Sequence, residues 1–340
     1  MDTSTWRARL GQRVVVRRRL DGGGFADVLG ELTDVDTHLH VRTRTGPVAV
    51  RLDTVVAGKV VPPRPQRKGP PHLVTSITDL EAVSSLHWRA AETARRGGWL
   101  LRAHGGFTGR ANSVLPLGDP REDPAAALAQ AGAWYAGRGL TPRASVASAV
   151  PGGVPDDHGP ADALRSACRS AGWQVVPGGS ALVLTAPTAD LRRPVPLPPG
   201  LHLDAAATPD AAWLAGYHHR DGPPPEDALA LLLSAPSQCF LSVRDAPGTS
   251  GTPGRAVAVA RLSLGGGWAG LTAVEVAPDH RRLGLARALL AGAADRAWRA
   301  GATSTFLQVG DTNEAALQLY TRSGFALHHR YDYYRPEPLP

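Results

Sequence analysis

The chain has 340 residues, of which 43% are hydrophobic and 20% are charged, proportions typical of a folded protein with two or three domains. No apolar run approaches the ~20 residues of a membrane-spanning helix, the first residues lack the order of a signal peptide, and only two cysteines are present. These features exclude a disulfide scaffold and a membrane partner, and they predict a cytoplasmic protein.

Positive charge is concentrated near the amino terminus. The formal net charge is +7, and residues 1–68 hold thirteen Lys plus Arg against seven Asp plus Glu, an excess of +6. Such a basic segment is compatible with a nucleic-acid partner. Residues 15–20, Val-Val-Arg-Arg-Arg-Leu, have little aromatic interleaving, so they do not support specific recognition of nucleic acid, and solvated surface charge is the commoner explanation.

Residues 1–62 are predicted to form a small all-β, SH3-like barrel. Their valine-rich segments alternate apolar with polar residues and are separated by Gly, Asp and Pro turns. The following segment, residues 63–75, is rich in proline and basic residues, which predicts an extended linker.

Residues 76–190, the first lobe, alternate between helical and strand patterns. Helices are predicted over 78–95, where Thr78 or Asp79 would be the cap, and over 123–139 and 161–172. Strands are predicted over 98–107, 112–118, 142–150, 173–176 and 180–186. The proline-rich residues 187–200 indicate the next boundary.

Residues 199–340, the second lobe, repeat this alternation. Helices are predicted over 208–219, 225–234, 283–301 and 313–324, and strands over 239–245, 256–264, 270–278, 304–310 and 325–335. A weak internal repeat pairs Gly172 with Gly324 and Trp173 with Phe325. The alternation predicts an α/β (α+β) fold with a mixed central sheet.

The second lobe contains a glycine and two arginines where a strand is predicted to lead into a helix. Backbone amides at a helix start have no intrahelical partners and lie at the positive end of the helix dipole, so they favour phosphate groups. Gly284 permits close approach of the backbone, and Arg281 and Arg282 add positive charge. A Gly-Lys-Ser/Thr ending and a G-x-G-x-x-G helix start are both absent from the sequence, so these nucleotide motifs are not the explanation.

Two motifs in this lobe resemble the signatures of the GNAT superfamily of N-acetyltransferases. Residues 281–286, Arg-Arg-Leu-Gly-Leu-Ala, match Arg/Gln-x-x-Gly-x-Gly/Ala, and residues 313–320 match N-x-x-A-x-x-L-Y, followed by Gly324-Phe325. The resemblance covers about residues 199–335. With the SH3-like region and the first lobe included, the chain is similar to an actinobacterial histone-acetyltransferase-like family with a tandem GNAT arrangement, and the first lobe is expected to be a degenerate GNAT-like copy.

The resemblance implies acetyl-CoA as co-substrate, no metal, and an amine acceptor. The pyrophosphate would rest on amides of residues 283–287, the pantetheine arm would lie along residues 274–277, and Tyr320 would be the acid that protonates the thiolate of CoA. The residues implied to contact the cofactor are Val274, Val276, Arg281, Arg282, Leu283, Gly284, Leu285, Ala286, Arg287 and Asn313.

The general base is less directly indicated. In GNAT enzymes that modify protein amino termini, a strand glutamate lies near the position that Gln308 occupies here, and glutamine cannot accept the proton. Glu275 on the preceding strand is the candidate base, although the sequence does not show which face of the sheet it occupies. Weaker candidates, expected on the surface or in loops, are His280, Asp311, His328 and His329. An acceptor amine that is already neutral needs no strong base.

The first lobe lacks the corresponding cofactor residues. Acidic residues and prolines stand at its helix start, and Cys168 stands where the second lobe has Tyr320. One polar stretch of this lobe, with Arg110, Asn112 and Ser113, is a candidate lining of the acceptor cleft, although satisfied turn residues are the commoner outcome. The sequence leaves open whether the acceptor is a protein lysine or a small-molecule amine. A CoA-sensing or binding module with little turnover is the alternative function.

Overall fold

The structure is a computed structural model, and it describes residues 3–7, 9, 12–20, 22–43, 46–61, 69–154, 159–217, 227–245 and 254–337. The chain divides into two compact units, residues 1–68 and 69–340. Residues 62–68, which include the first six residues of the predicted linker, lie outside the described residues. No helix in the described ranges is long and apolar enough to cross a membrane.

The N-terminal unit is a five-stranded antiparallel sheet with one short helix. Its elements are α1 (Thr3–Arg7), β1 (Arg13–Arg19), β2 (Phe25–Val35), β3 (His38–Thr43), β4 (Gly46–Arg51) and β5 (Val55–Val60). The strand order is β4-β3-β2-β1-β5. Alternate residues of the strands, among them Val14, Val16 and Leu39, are fully buried with Trp6. The prediction of a small all-β domain is confirmed.

The second unit contains both predicted lobes, whose boundary stays a prediction. The elements up to residue 191 are α2 (Pro71–Val74), α3 (Ile77–His87), β6 (Glu92–Arg96), β7 (Trp99–Ala103), β8 (Val114–Pro116), α4 (Pro124–Ala136), β9 (Ala144–Ser148), α5 (Ala161–Ser170), β10 (Gln174–Val175), β11 (Ala181–Pro187) and α6 (Thr188–Leu191). The later elements are β12 (His202–Ala206), α7 (Ala211–Gly216), α8 (Ala228–Leu232), β13 (Ser237–Arg244), β14 (Ala256–Gly265), β15 (Trp268–Val276), α9 (Leu285–Arg299), β16 (Ser304–Gly310), α10 (Glu314–Arg322) and β17 (Ala326–Arg335).

The predicted helix over residues 78–95 is wrong in its second half. Helix α3 starts after Ser76, whose hydroxyl accepts a hydrogen bond from the Asp79 amide at 3.1 Å, and it ends at His87. Residues 92–96 instead form β6, because a turn at Gly97 returns the chain to pair with β7. Pairing between strands therefore overrides the helical spacing of the side chains.

Both lobes contribute to one continuous mixed sheet. Its main order is β12-β13-β14-β15-β16-β11-β17-β9-β8-β7-β6, and β10 pairs with β17. Strand β11, which precedes residue 199, is inserted between β16 and β17 of the second lobe. Strand β17 pairs with β11 over residues 326–331 and with β9 over residues 330–334, so it serves both lobes.

Strands β15 and β16 run parallel and then separate, forming a fork. Residues 268–271 pair with residues 304–307, and the pairing stops there. On the other side of β15, the register with β14 shifts between Val259 and Arg261, and Ala273 has a φ of 53°. This irregularity is a β-bulge, which turns the end of β15 and leaves backbone groups on its β16 side without a strand partner.

Candidate active site

The fork separates two faces of the sheet. Leu271 and Leu307, the last paired residues, belong to the hydrophobic cluster that contains α9, and Val274 and Val276 pack against the same cluster. Thr272 and Gln308 are the first residues past the fork, and alternation along each strand places them on the opposite face. That opposite face, together with the open ends of β15 and β16, is the candidate active site.

The bulge decides which face Glu275 occupies. Ala273 packs against the cluster of α7 and α8, while Val274 and Val276 pack on the α9 side, so Glu275 belongs to the α7 face. It lines a cleft of about 620 Å³ between the end of β15 and α7. Burial raises the pKa of Tyr217, at the end of α7, and the charge of Glu275 adds to that increase. Gly216, the residue before Tyr217, lines the same cleft as Glu275.

Helix α9 begins with its backbone amides uncapped by any described side chain. Gly284 is the N-cap residue, with a φ of 79°, and Leu285 is buried as the first helical residue. Arg282 also has a left-handed φ, 67°, which is uncommon for a residue with a side chain. Left-handed residues in such a loop turn neighbouring backbone amides toward one concave site, and a site of this kind favours anions.

The predicted cofactor residues surround this helix start. Arg281, Arg282 and Leu283 are exposed, and Arg281 lines the cleft beside β15. Arg287, one turn into α9, lines a smaller cavity of about 200 Å³ with Arg193 and Arg322. The predicted residues that lie together at this end of the sheet are Val274, Val276, Arg281, Arg282, Leu283, Gly284, Leu285, Ala286 and Arg287.

Tyr320 lies on α10, and Asn313 is the N-cap residue of that helix. Tyr320 is 7% exposed in the α9 cluster, its ring meets Phe325 edge-on at 5.8 Å, and burial raises its pKa to about 12. The side chain of Asn313 caps α10 by accepting a hydrogen bond from the Ala316 amide at 3.1 Å. Their roles toward a cofactor stay predictions.

A side chain of the first lobe reaches the fork. Arg110 Nη1 donates to Gln308 Oε1 at 3.1 Å, and the Tyr331 hydroxyl lies 3.4 Å from the same oxygen. This contact links residues 198 positions apart, and no local sequence pattern indicates it. Gln308, at the position where a glutamate is often found, is held by a cation from the other lobe.

Asn112 and Ser113 are turn residues with satisfied hydrogen bonds, the commoner of the two outcomes considered for them, and they do not line the cleft. Both are buried: Asn112 bonds to backbone groups of His104, Gly106 and Thr108, and the Ser113 hydroxyl donates to Gly109. They hold the loop before β8 in place and thereby position Arg110, so they are the satisfied turn residues of our alternative interpretation.

His328 and His329 are buried in β17 rather than exposed as expected. The Thr75 carbonyl can only accept, so His328 donates from Nε2. Burial, followed by the neighbouring His329, lowers the pKa of His328 to about 3; its ring is therefore neutral and its Nδ1 accepts from His329 Nδ1 at 2.7 Å. His329 Nε2 and Glu81 Oε1 lie 3.0 Å apart and share one hydrogen bond, whose proton is bound either to His329 or to Glu81.

The remaining weaker base candidates lie near charged partners. His280 Nδ1 lies 3.0 Å from Asp279, and Asp311 lies 3.7 Å from Arg330. Within the described part of the chain, no group of three or more His, Cys, Asp or Glu residues is arranged to hold a metal ion.

The first lobe has a helix start that corresponds to that of α9. Its parallel strands β8 and β9 flank α4, and Arg121 has a φ of 62° three residues before the helix, as Arg282 has before α9. The carboxylate of Asp123, however, accepts from the amides of Ala125 and Ala126 at 3.0 Å. On α5, Cys168 is fully buried, and burial raises its pKa to about 12.

Comparison with known proteins identifies the family of this chain. Residues 74–334 match the family described as "Probable histone acetyltransferase Rv0428c C-terminal", and residues 8–59 match "Rv0428c N-terminal Sm-like domain". The chain belongs to this family. Probable histone acetyltransferase Rv0428c of Mycobacterium tuberculosis is 31% identical over 338 residues, which cover 95% of this chain and 94% of that protein.

Two solved structures share the fold of the second unit. A GCN5-related N-acetyltransferase from Kribbella flavida has a TM-score of 0.56 at 21% identity and covers 78% of this chain and 98% of its own. A tandem GNAT protein from the clavulanic acid biosynthesis pathway has a TM-score of 0.54 at 18% identity, with 77% and 88% covered. The predictions of a tandem GNAT fold, an N-terminal β-domain and an acyltransferase are confirmed.

Proposed function

We propose that the protein transfers an acetyl group from acetyl-CoA to a primary amine in a ternary complex. The observation that carries the proposal is the meeting of the strand fork with the uncapped start of α9 at one end of the sheet. The name of the M. tuberculosis relative adds protein lysine as one kind of acceptor, and small amines are the other.

The residues present fit an extended ligand that ends in phosphates. Past Leu271, the backbone of β15 has no partner on the β16 side, so a pantetheine arm could pair there as an added strand would. The free amides of α9, with Gly284 at the N-cap and exposed Arg281 and Arg282 beside it, suit a pyrophosphate. Bound acetyl-CoA would supply a thioester whose acetyl carbon accepts the amine.

The chain supplies the two proton transfers of this reaction. Glu275 takes the proton that the amine nitrogen loses as the new C–N bond forms, directly or through water. Tyr320 gives its proton to sulfur as the C–S bond breaks, and its raised pKa keeps it protonated at neutral pH. Gln308 cannot accept a proton, and Arg110 and Tyr331 occupy its oxygen, so it belongs to the lining of the site.

Substitution of two buried tyrosines, Tyr320 and Tyr135, tests the proposal. Tyr320→Phe should lower CoA release with an amine acceptor roughly 100-fold or more, because general-acid catalysis contributes about that much. Tyr135 on α4 is the matched control: it is also buried, with its pKa raised to about 12, but its hydroxyl bonds to the backbone of Arg102.

The control variant should separate loss of catalysis from loss of stability. Tyr135→Phe should lower the free energy of unfolding by about 1 kcal/mol, because it removes one buried hydrogen-bonding group, and should leave CoA release unchanged. Equal rates for Tyr320→Phe and the unmodified protein across a panel of amines would contradict the enzyme mechanism. CoA binding without turnover would instead identify a CoA sensor.

A further inference from the structure

The face of the fork that is turned away from α9 carries two positive charges against one indole ring. The guanidinium carbon of Arg110 lies 4.9 Å from the ring centroid of Trp88, and that of Arg261 lies 5.1 Å from it. Trp88 is buried, and its Nε1 donates to the Thr108 hydroxyl at 2.8 Å. The ring is therefore fixed, and it orients both guanidinium groups.

Neither arginine forms a salt bridge with any residue that the structure describes. Arg261 is 0% exposed, and its hydrogen-bond partners are the carbonyl oxygens of Leu232 and His87, at 2.6 and 3.1 Å, and the Thr272 hydroxyl at 3.4 Å. Burial and the charge of Arg110 lower the pKa of Arg261 to about 9, so it is cationic at neutral pH. All of these partners are neutral.

The two charges lie at the apex of the fork. Arg261 bonds to Thr272 and Arg110 bonds to Gln308, and these are the first residues past the last paired positions of β15 and β16. Burial of a charged group without an opposite charge beside it costs free energy. A site of this kind therefore favours an anionic ligand. Arg110 is the more accessible of the two, since it is partly exposed.

The geometry of Arg110 selects the shape of that anion. The guanidinium group of Arg110 lies over the Trp88 ring, and Gln308 accepts from its Nη1, so its other N–H groups remain for partners. A carboxylate matches this arrangement, because its two oxygens accept parallel hydrogen bonds from one guanidinium edge. Tyr217 lies within electrostatic range of both Arg110 and Glu275, so the site combines a cation with the carboxylate of the candidate base.

We propose that the acceptor is an amine that carries a carboxylate in the same molecule, and that Arg110 binds this carboxylate. The proposal rests on the acetyltransferase function above. A free amino acid is the simplest such acceptor, and a peptide lysine beside an acidic residue presents the same chemistry. Lysine in a purely basic tail would be a poor acceptor, because the two arginines would repel it.

The test uses amine pairs that differ in the carboxylate alone. CoA release with the full-length protein is measured for lysine against 1,5-diaminopentane, for tyrosine against tyramine, and for a lysine peptide flanked by Glu against one flanked by Gln. The carboxylate-bearing member should have a kcat/KM roughly 10- to 100-fold higher, the effect of one charge-assisted contact. The free pairs and the peptide pair distinguish the two sources of the carboxylate.

Variants of Arg110 then identify the residue responsible. Arg110→Gln should reduce the ratio within each pair to about one, and Arg110→Lys should retain part of it because the charge remains. Arg95→Gln is the matched control, since Arg95 is exposed on β6 at the far edge of the sheet, and it should keep the full ratio. Thermal unfolding checks that each variant is folded. The ratio of kcat/KM within each amine pair is also measured in the unmodified protein, and this part of the test does not depend on the folding of any variant.

The outcomes separate this proposal from the proposed function. Tyr320-dependent CoA release with equal rates within every pair would overturn the carboxylate proposal and leave the acetyltransferase standing. An equal loss of kcat for both members in Arg110→Gln would also overturn it, because Arg110 would then act on the reaction itself. CoA release that does not depend on Tyr320 for any amine would overturn both.

Discussion

The starts of α4 and α9 follow similar loops, but their N-cap residues differ in backbone as well as in side chain: Asp123 has a φ of −56° and a ψ of 127°, and Gly284 has a φ of 79° and a ψ of 4°. Each follows a strand and precedes its parallel neighbour, and each has an arginine in the left-handed region three residues before the helix, Arg121 or Arg282. In α4 the free amides are satisfied by the carboxylate of Asp123, whereas in α9 the cap is Gly284, which has no side chain. The cap residue, through both its side chain and its backbone conformation, therefore separates a closed helix start from one whose amides can bind a phosphate.

The same contrast extends along each lobe. Pro124 removes one amide donor from the first turn of α4, while α9 begins with Leu285. Where the second lobe has Tyr320, the first has Cys168, whose side chain is also buried but is a thiol rather than a phenol. The first lobe has instead acquired a supporting role, since it supplies Arg110 to the fork and β11 to the sheet.

Transfer of the α4 cap to α9 should have the largest effect. Gly284→Asp places a carboxylate at the N-cap position, which Asp123 occupies in α4, and it should weaken CoA binding roughly 10- to 100-fold, chiefly through repulsion of phosphate. Gly284→Asn is the control, because asparagine has nearly the same shape, tolerates a positive φ and carries no charge. Calorimetric titration with CoA measures both, and equal affinities for the two variants would show that charge at this cap does not matter.

Removal of the α4 cap should affect stability alone. Asp123→Ala should lower the free energy of unfolding by about 1 kcal/mol, because two helix amides lose their acceptor. Chemical denaturation measures this change, and Glu122→Gln, which removes the neighbouring charge without removing a cap, should stay within about 0.5 kcal/mol. A change in CoA affinity in Asp123→Ala would show that the first lobe takes part in cofactor binding.

Substitution of Arg121 and Arg282, the two arginines in the left-handed region, should have smaller effects on unfolding and on CoA binding. Replacement of either Arg121 or Arg282 by glycine relieves an unfavourable φ but adds freedom to the unfolded chain, so unfolding should change by about 1 kcal/mol or less. Only Arg282→Gly should weaken CoA binding, by roughly 2- to 5-fold at low salt and less at high salt, because it removes one charge near the phosphates. Equal effects of both substitutions on CoA affinity would remove the distinction between the two loops.

The pH dependence of turnover should show no effect of Tyr320 in the ordinary range. Burial raises the pKa of Tyr320 to about 12. Since the protonated form is the active one, the Tyr320 hydroxyl keeps the proton it needs as the pH rises. With saturating acceptor, kcat should therefore not fall between pH 8 and about pH 10 through loss of this proton. A basic limb with an apparent pKa below 10 that disappears in Tyr320→Phe would contradict this assignment.

The sequence predicted those parts of the molecule that depend on neighbouring residues. The loop 281–286, the helix after it and the strands on both sides follow from local spacing and from the two signatures. The sequence did not indicate that Arg110 would meet Gln308 or that β11 would lie between β16 and β17, because such contacts join residues more than 100 positions apart. The end of α3 at His87 was missed for a different reason: residues 92–96 pair with residues 99–103 in a local hairpin, and this strand pairing overrides the helical spacing of the side chains.

The sequence also did not predict which face of the sheet Glu275 occupies. Alternation alone fixes which residues of β15 share a face, but the bulge at Ala273 changes the alternation within the strand. The burial of His328 and His329 likewise depends on α3, which supplies Glu81 as partner. These features are decided by packing between distant elements.

A titration of the unmodified protein with CoA tests the central claim most directly. The chain contains two related lobes, but among the described residues the start of α4 is capped by Asp123 and that of α9 has free amides at a strand fork, so the binding isotherm should give one CoA per chain. That site should be weakened in Gly284→Asp and unchanged in Asp123→Ala. Two equivalent sites per chain, or one site that survives Gly284→Asp at full affinity, would contradict the account.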